Sequence, residues 1–457
     1  MGRLKIITLC LLGVFIISSG FACKWNPFQK EQASYKPVTL EYWGVWDTPE
    51  QLKELINTYE ATHPTVKVNY KNFRYDEYER KLLEAWADDR GPDIFAIPTA
   101  WLKEYQNRLE PMPASHKIPV YELQGTIKKE TVTVLKEFKG LSVNDVKTRY
   151  VPIVYENIIL DDKIYGLPYS LDTLVTFYNM DLLNKAGIPE PIKDFFDLVD
   201  QAPKLTRANS DNKIVQSAVA LGSTQNIPRF FDIFSSIMLQ NGVEAKGDKF
   251  NPLASRESAT RLGQTFSFYT DFARAGKASY SWSPDLDNAF EMFASGRLAY
   301  YFGYSYDAEN LRKRGVTFDW NITNFPQTRG AEGTKYYANY WINVVAKKSK
   351  NKSAAWNFIQ STANAELVPV YLKANKKPTA LRALLNDQLN DEDVRVFASQ
   401  VLTADNWYNG YDPAAAEKYL ADIVDALVKG DIVLDKGEAT LGLFVNQINQ
   451  TYKNPNE

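Results

Sequence analysis

Between residues 38 and 97 the apolar residues switch period four times, and that alternation admits few folds. Val38, Leu40 and Tyr42 alternate as in a strand. Thr48 then stands as an N-cap with Pro49 at the first helical position and Gln51 completing a capping box. Leu52, Leu55, Ile56 and Tyr59 share one helical face, and His63-Pro64 stops the helix. Val66, Val68 and Tyr70 alternate again, a second helix is predicted over 76–88, and Gly91 to Ile97 leads into a third strand. Strand, helix, strand, helix, strand means parallel βαβ units with helices on both faces of the sheet. Ligands of such sheets sit beyond the carboxyl ends of the strands. That points to the segments from Trp43 to Thr48 and from Pro98 to Trp101.

The chain has 457 residues, enough for two large lobes. With 45% hydrophobic and 24% charged residues it reads as a folded globular protein. The 53 basic and 55 acidic residues give a net charge of −2, which predicts no nucleic-acid partner. The two cysteines, Cys10 and Cys23, both precede the folded body, and there are two histidines, His63 and His116. A disulfide framework, a thiolate metal site and a histidine-rich centre are therefore not expected, and neither is a cofactor. A calcium site built from oxygen ligands stays open. The middle, about 181–294, reads as mostly helical. Strand-like sequence returns at Leu298–Phe302 and Ile342–Val345, and the chain is expected to end in a helix capped by Asp412 and Pro413 that runs to Gly430.

Arg3 and Lys5 precede an apolar run from Ile6 to about Phe21, followed by Ala22, Cys23 and Lys24. This is the layout of a secretory signal, and the run is short for a membrane span. Gly20-Phe21-Ala22-Cys23 resembles a bacterial lipobox, with Gly20 where leucine is preferred. That resemblance implies lipidation of Cys23 and a protein held at the outer face of the cell membrane. Plain cleavage after Ala22 and an uncleaved anchor are the alternatives. Residues 1–22 are read as the signal and 23–37 as a tether.

A longer resemblance covers nearly all of the remaining chain. Asp162-Lys163-Ile164-Tyr165-Gly166-Leu167-Pro168, then Phe177 to Leu183, then Ala186-Gly187-Ile188 follow the pattern GKxYGLP, YYNKDLF, AGI at matching spacing. Gly91-Pro92-Asp93-Ile94, the run Phe293 to Ala299 and the run Ser349 to Ile359 add further pieces in order. These motifs are similar to those of the extracellular solute-binding proteins of ABC importers, in the group that includes maltodextrin-binding proteins. The resemblance implies a periplasmic-binding-protein-like α/β fold: two discontinuous lobes with a hinge and an interlobe cleft that closes over a ligand. Lobe 1 is assigned residues 38–171 with 344–390, and lobe 2 residues 176–338 with 394–457. It also implies an ABC permease as partner, a monomer, and a polar solute, best a sugar or oligosaccharide.

A buried sugar hydroxyl without a partner costs roughly 1–3 kcal/mol, and sugar C–H faces favour flat rings. Candidate contacts therefore mix aromatic and polar residues at strand ends and crossings. Asp172 stands where maltodextrin binders carry a ligand-contacting carboxylate. Trp46 and Asp47 follow the first strand, with helix capping the alternative for Asp47. Thr99 and Trp101 follow the third, where Ala100 replaces the carboxylate of the maltodextrin pattern. Arg229, Phe230 and Asp232 occupy a region that often holds a stacking ring, with helical core the alternative for Phe230. Tyr304, Ser305 and Tyr306 follow a later strand, Asn339, Tyr340 and Trp341 a predicted crossing, and Trp407 and Tyr411 a loop before the helix at 413. Two other functions compete with the receptor. One is a surface carbohydrate-binding lipoprotein or adhesin without transport. The other is a secreted carbohydrate-active enzyme, for which no motif selects a carboxylate pair.

Overall fold

The computed structural model describes residues 37–126, 129–434 and 438–455. The expected signal segment, Cys23 and all but the last residue of the expected tether lie outside the described residues.

The opening pattern becomes β1 (Val38–Gly44), α1 (Pro49–Thr62), β2 (Val66–Asn72), α2 (Tyr75–Ala87) and β3 (Ile94–Pro98). Thr48 caps α1 as a capping box with Gln51, and Leu52, Leu55, Ile56 and Tyr59 form its buried face. Then comes a hairpin that the sequence reading did not include: β4 (Ser115–Gln124) pairs antiparallel with β5 (Glu130–Lys139) over their full length. The chain continues through β6 (Val175–Asn179), β7 (Ile214–Val219), α3 (Phe230–Gln240), α4 (Arg256–Asp271) and β8 (Leu298–Gly303). It returns by α5 (Ser305–Arg314), β9 (Trp320–Asn324), β10 (Tyr336–Asn339), β11 (Trp341–Ala346) and α6 (Lys352–Thr362). It finishes with α7 (Pro413–Lys429) and α8 (Glu438–Gln450). Asp412 and Gly430 do cap α7, but the expectation that the chain ends there is corrected by α8. Gly430 sits at φ 80°, the left-handed conformation that closes a helix, and the apolar pattern resumes beyond it.

Two sheets carry the molecule. The first runs β2-β1-β3-β11, with β1 parallel to β2 and β3, and β11 antiparallel to β3. The second runs β7-β8-β6-β9, with β6 antiparallel to both β8 and β9. Each sheet has its own apolar core. One gathers Leu40 to Leu171 and Ala338 to Leu385; the other gathers Leu174 to Tyr337 and Phe397 to Ile448. Val401 and Ala404 join the first core although Phe397, earlier in sequence, joins the second. The chain thus passes between cores between Leu171 and Leu174, between Tyr337 and Ala338, and again in the stretch after Leu385. A short sheet marks the crossings: Asp172–Thr173 pairs antiparallel with Asn339 and Ala338, and β10 pairs parallel with Ala404–Asp405. The cleft opens between the two lobes beside it.

Candidate functional site

A single cavity of about 1850 Å³ occupies the cleft. Its walls include Trp46, Asp47, Thr99, Trp101, Asp172 and Trp341 from the first lobe and the crossings, and Arg229, Asp232, Tyr304, Tyr306 and Tyr411 from the second. Asn339 and Tyr340 line it at the crossing of β10 into β11. Phe230, Ser305 and Trp407 are not among its lining residues. Phe230 and Trp407 are buried in the second core, where the Trp407 indole N–H donates to Ser235 Oγ at 2.8 Å. Ser305 acts one step back, as described below.

The aromatic residues form two surfaces. In the first lobe, Trp46 follows β1 and lies half exposed, stacked on Tyr75 with ring centres 5.6 Å apart and planes 21° apart. Trp341 meets Trp46 edge-on at 6.0 Å and lies tilted against Trp101 at 6.3 Å. In the second lobe, Tyr304 and Tyr306 stack at 6.2 Å. Trp46 reaches across the cleft to Tyr306, whose ring centre is 6.4 Å away and whose plane is nearly parallel at 12°. The Arg229 guanidinium covers both tyrosines at 5.4 and 5.5 Å and donates from Nε to Tyr306 Oη at 2.9 Å. The Lys377 ammonium lies 5.8 Å from the Tyr306 ring.

Between these rings stand three carboxylates, each held by its fold. Asp172 Oδ2 accepts from the backbone N–H and the hydroxyl of Ser305, at 2.9 and 2.5 Å. Ser305 begins α5, so Asp172 also faces the positive end of that helix. Asp232 Oδ2 accepts from Tyr304 Oη at 2.8 Å and Asn339 Nδ2 at 3.0 Å. Asp47 Oδ1 accepts from Tyr371 Oη at 2.8 Å. Burial raises the pKa of all three. Lys377 counters it for Asp47 and Asp172, and Arg229 for Asp232. Three acids near two cations, Asp232 buried and Asp47 and Asp172 partly buried, leave spare acceptor lone pairs with partly balanced charge, which suits neutral hydroxyl donors.

Local sequence explains the placement. Gly303 ends β8 where a Cβ would come within 2.5 Å of both Asp307 Oδ2 and Tyr301 Cε1. That close approach lets Asp307 accept from the Tyr304 N–H at 2.9 Å and start α5 at the cleft wall. Sequence reading missed Tyr75, Glu79, Glu104, Tyr371 and Lys377, all of which line the cavity. Tyr75 was within reach, because it follows β2 as Trp46 follows β1. Tyr371 and Lys377 carry no local signal: the crossings bring them in from late in the chain.

Among the described residues, no three His, Cys, Asp or Glu side chains group as metal ligands, and no helix is long and apolar enough to cross a membrane.

The chain resembles known proteins over nearly all its length. The galactooligosaccharide-binding protein of Bacillus subtilis is 20% identical over 377 residues, 80% of this chain and 78% of that one. The sugar-binding protein MalE from Xanthomonas citri superposes with a TM-score of 0.68 at 18% identity, covering 91% of this chain and 97% of its own. A substrate-binding protein from Listeria monocytogenes, solved with cycloalternan, superposes at 0.66 and 19% identity over 91% of this chain and 99% of its own. These likenesses show the two-lobed, periplasmic-binding-protein-like α/β fold. Residues 46–367 match the family described as bacterial extracellular solute-binding protein. That match covers more than half of the sequence, and with it the chain belongs to the bacterial extracellular solute-binding proteins.

Proposed function

We propose that the chain is the receptor of an ABC importer and holds a neutral sugar, best an oligosaccharide, in the interlobe cleft. The observation that carries this reading is the juxtaposition of stacked rings and buried or partly buried carboxylates across one cavity. Hydroxyls would donate to Asp47, Asp172 and Asp232, and sugar C–H faces would lie on Trp46, Tyr306 and Trp341. A volume of about 1850 Å³ exceeds the roughly 300–1,000 Å³ of ordinary small-molecule pockets and favours several sugar units over one. The relative named for galactooligosaccharide and the structure solved with cycloalternan point the same way.

Lobe 1 would comprise residues 38–171 with 344–390 and lobe 2 residues 176–338 with 394–457, the ligand drawing them together about the crossings. The closed form would then dock as a monomer on membrane permease subunits. We read the protein as a receptor rather than an enzyme, since the three aspartates set between the rings are held by Ser305, Tyr304, Asn339 and Tyr371. Cys23 would carry the membrane anchor.

A thermal-shift screen over mono- and oligosaccharides, amino acids and peptides tests the ligand class. A true ligand at 100 times its Kd stabilises by about 2.7 kcal/mol. Stabilisation by amino acids or peptides and by no saccharide overturns the sugar reading, and release of cleaved saccharide overturns the receptor reading. Cys23→Ser should release the protein from membranes with ligand affinity unchanged.

A further inference from the structure

The β4–β5 hairpin takes no part in the cleft, for none of its residues lines the cavity. Its inner half packs on the body: His116, Ile118 and Pro119 are buried. Its outer half does not. The register pairs Pro119 with Leu135, Tyr121 with Thr133 and Leu123 with Thr131, so these side chains share one face. On that face Tyr121 is 47%, Leu123 68% and Leu135 45% exposed.

The position of this face relative to the N-terminal segment says what covers it. The Val38 N–H donates to the Thr65 carbonyl at 2.8 Å, and Thr65 Oγ1 donates to the Pro119 carbonyl. The described chain therefore begins, at Pro37 and Val38, beside Pro119 of the hairpin, two residues before Tyr121. The preceding residues, 1–36, contain the apolar run from Ile6 to Phe21 and Cys23. If the chain is held at Cys23, the stretch from Lys24 to Val38 spans at most roughly 50 Å, so the hairpin side of the body must stay near the bilayer.

We propose that the Tyr121–Leu123–Leu135 face of the hairpin lies on the lipid surface, a second contact beside the anchor. The proposal rests on the reading that the N-terminus is membrane-anchored. Tyrosine suits the headgroup level, leucine the acyl boundary, and the exposed Lys117 on the same face, 3.9 Å from Glu137, can extend its ammonium group to lipid phosphates. Three half-exposed side chains bind lipid weakly alone. Tethering makes the contact intramolecular, at an effective concentration on the order of millimolar. The expected result is a body held in one orientation, cleft clear of the lipid, and not swinging freely on its tether.

The test uses the full chain reconstituted into vesicles of phosphatidylethanolamine and phosphatidylglycerol. An environment-sensitive fluorophore is attached through an azide-bearing residue at position 123 or, as control, at position 443. Leu443 is also 68% exposed but lies on α8 of the other lobe. The proposal expects the protein to float with the vesicles and a lipid-borne nitroxide to quench position 123 at least twofold more than position 443. Adding Tyr121→Asp and Leu135→Asp should bring the two to equality with an unchanged melting curve. Flotation with equal quenching at both positions overturns the hairpin contact and leaves the anchor standing. A protein that does not float overturns both. A change at position 123 that appears without vesicles and grows with protein concentration assigns the face to a second copy instead and also overturns the proposal.

Discussion

Ser305 gives both its backbone N–H and its hydroxyl to Asp172 Oδ2, at 2.9 and 2.5 Å, and so ties the start of α5 in the second lobe to the first crossing between lobes. Asp172 thus has two tasks, fixing a lobe and presenting a carboxylate to the cleft, and substitutions can separate them. Asp172→Ala should lower stability and ligand affinity together, each by about 1.5–3 kcal/mol, since a charged acceptor is lost. Ser305→Ala should lower stability while ligand affinity stays within a few-fold, because the carboxylate remains. Calorimetry and thermal melts of both variants check this; an Asp172→Ala protein that binds as tightly as the parent removes Asp172 from the ligand site.

Trp46 is half exposed and stacks on Tyr75 and Tyr306 from opposite lobes. Trp46→Ala should leave the melting temperature nearly unchanged and weaken ligand binding about tenfold or more, as stacking and apolar area are lost. Titration calorimetry with the saccharide found by screening decides it.

Glu104 lines the cleft with its pKa pushed up to about 7, first by burial and then by the charges of Glu79 and Asp412. A folded pKa above the unfolded one means the folded state holds the proton more tightly. Stability therefore falls as pH rises from about 4.5 to about 7 and is level above that. Glu104→Gln should raise the melting temperature at pH 8 and give no gain at pH 4.5. Solvent screening of this half-buried group limits the gain to about 1 kcal/mol, or roughly 1–2 °C. An equal gain at both pH values would show that charge is not the cause.

Trp407 is buried in the second core and donates to Ser235. Trp407→Ala should destabilise by about 3–5 kcal/mol, the range for emptying a large aromatic site. The fraction that stays folded should bind ligand with parental affinity. A selective loss of affinity without loss of stability would return Trp407 to the ligand site.

The opening of the fold was legible because β1 to β3 and the two helices between them are local: period, capping box and proline are all visible within a few residues. Trp46, Asp47, Thr99 and Trp101 followed from the same logic, since a parallel sheet sends its strand ends to one side. The rest depended on distant pairing. Trp407 stands in what reads as an exposed loop, and only the packing of Phe231 and Ser235 of α3 and of Phe250 against it makes that loop core. Lys377 and Tyr371 reach the cleft from late in the chain, with no motif of their own. The β4–β5 hairpin was missed because its strands pack on the body for only half their length. Its apolar alternation is interrupted by Lys117, Glu122 and Lys136.

β11 lies in the middle of the first sheet, between β3 and the short strand Leu109–Glu110. Its residues are made more than two hundred positions after those of β3. A ribosome that has released the first 340 residues has therefore released a sheet with its centre missing and a core without Trp356 and Phe358. Such a lobe cannot close early, because its decisive pairings are the most distant in sequence and form slowly. For a chain whose family works outside the cell, that delay keeps the polypeptide threadable until its last quarter has been delivered.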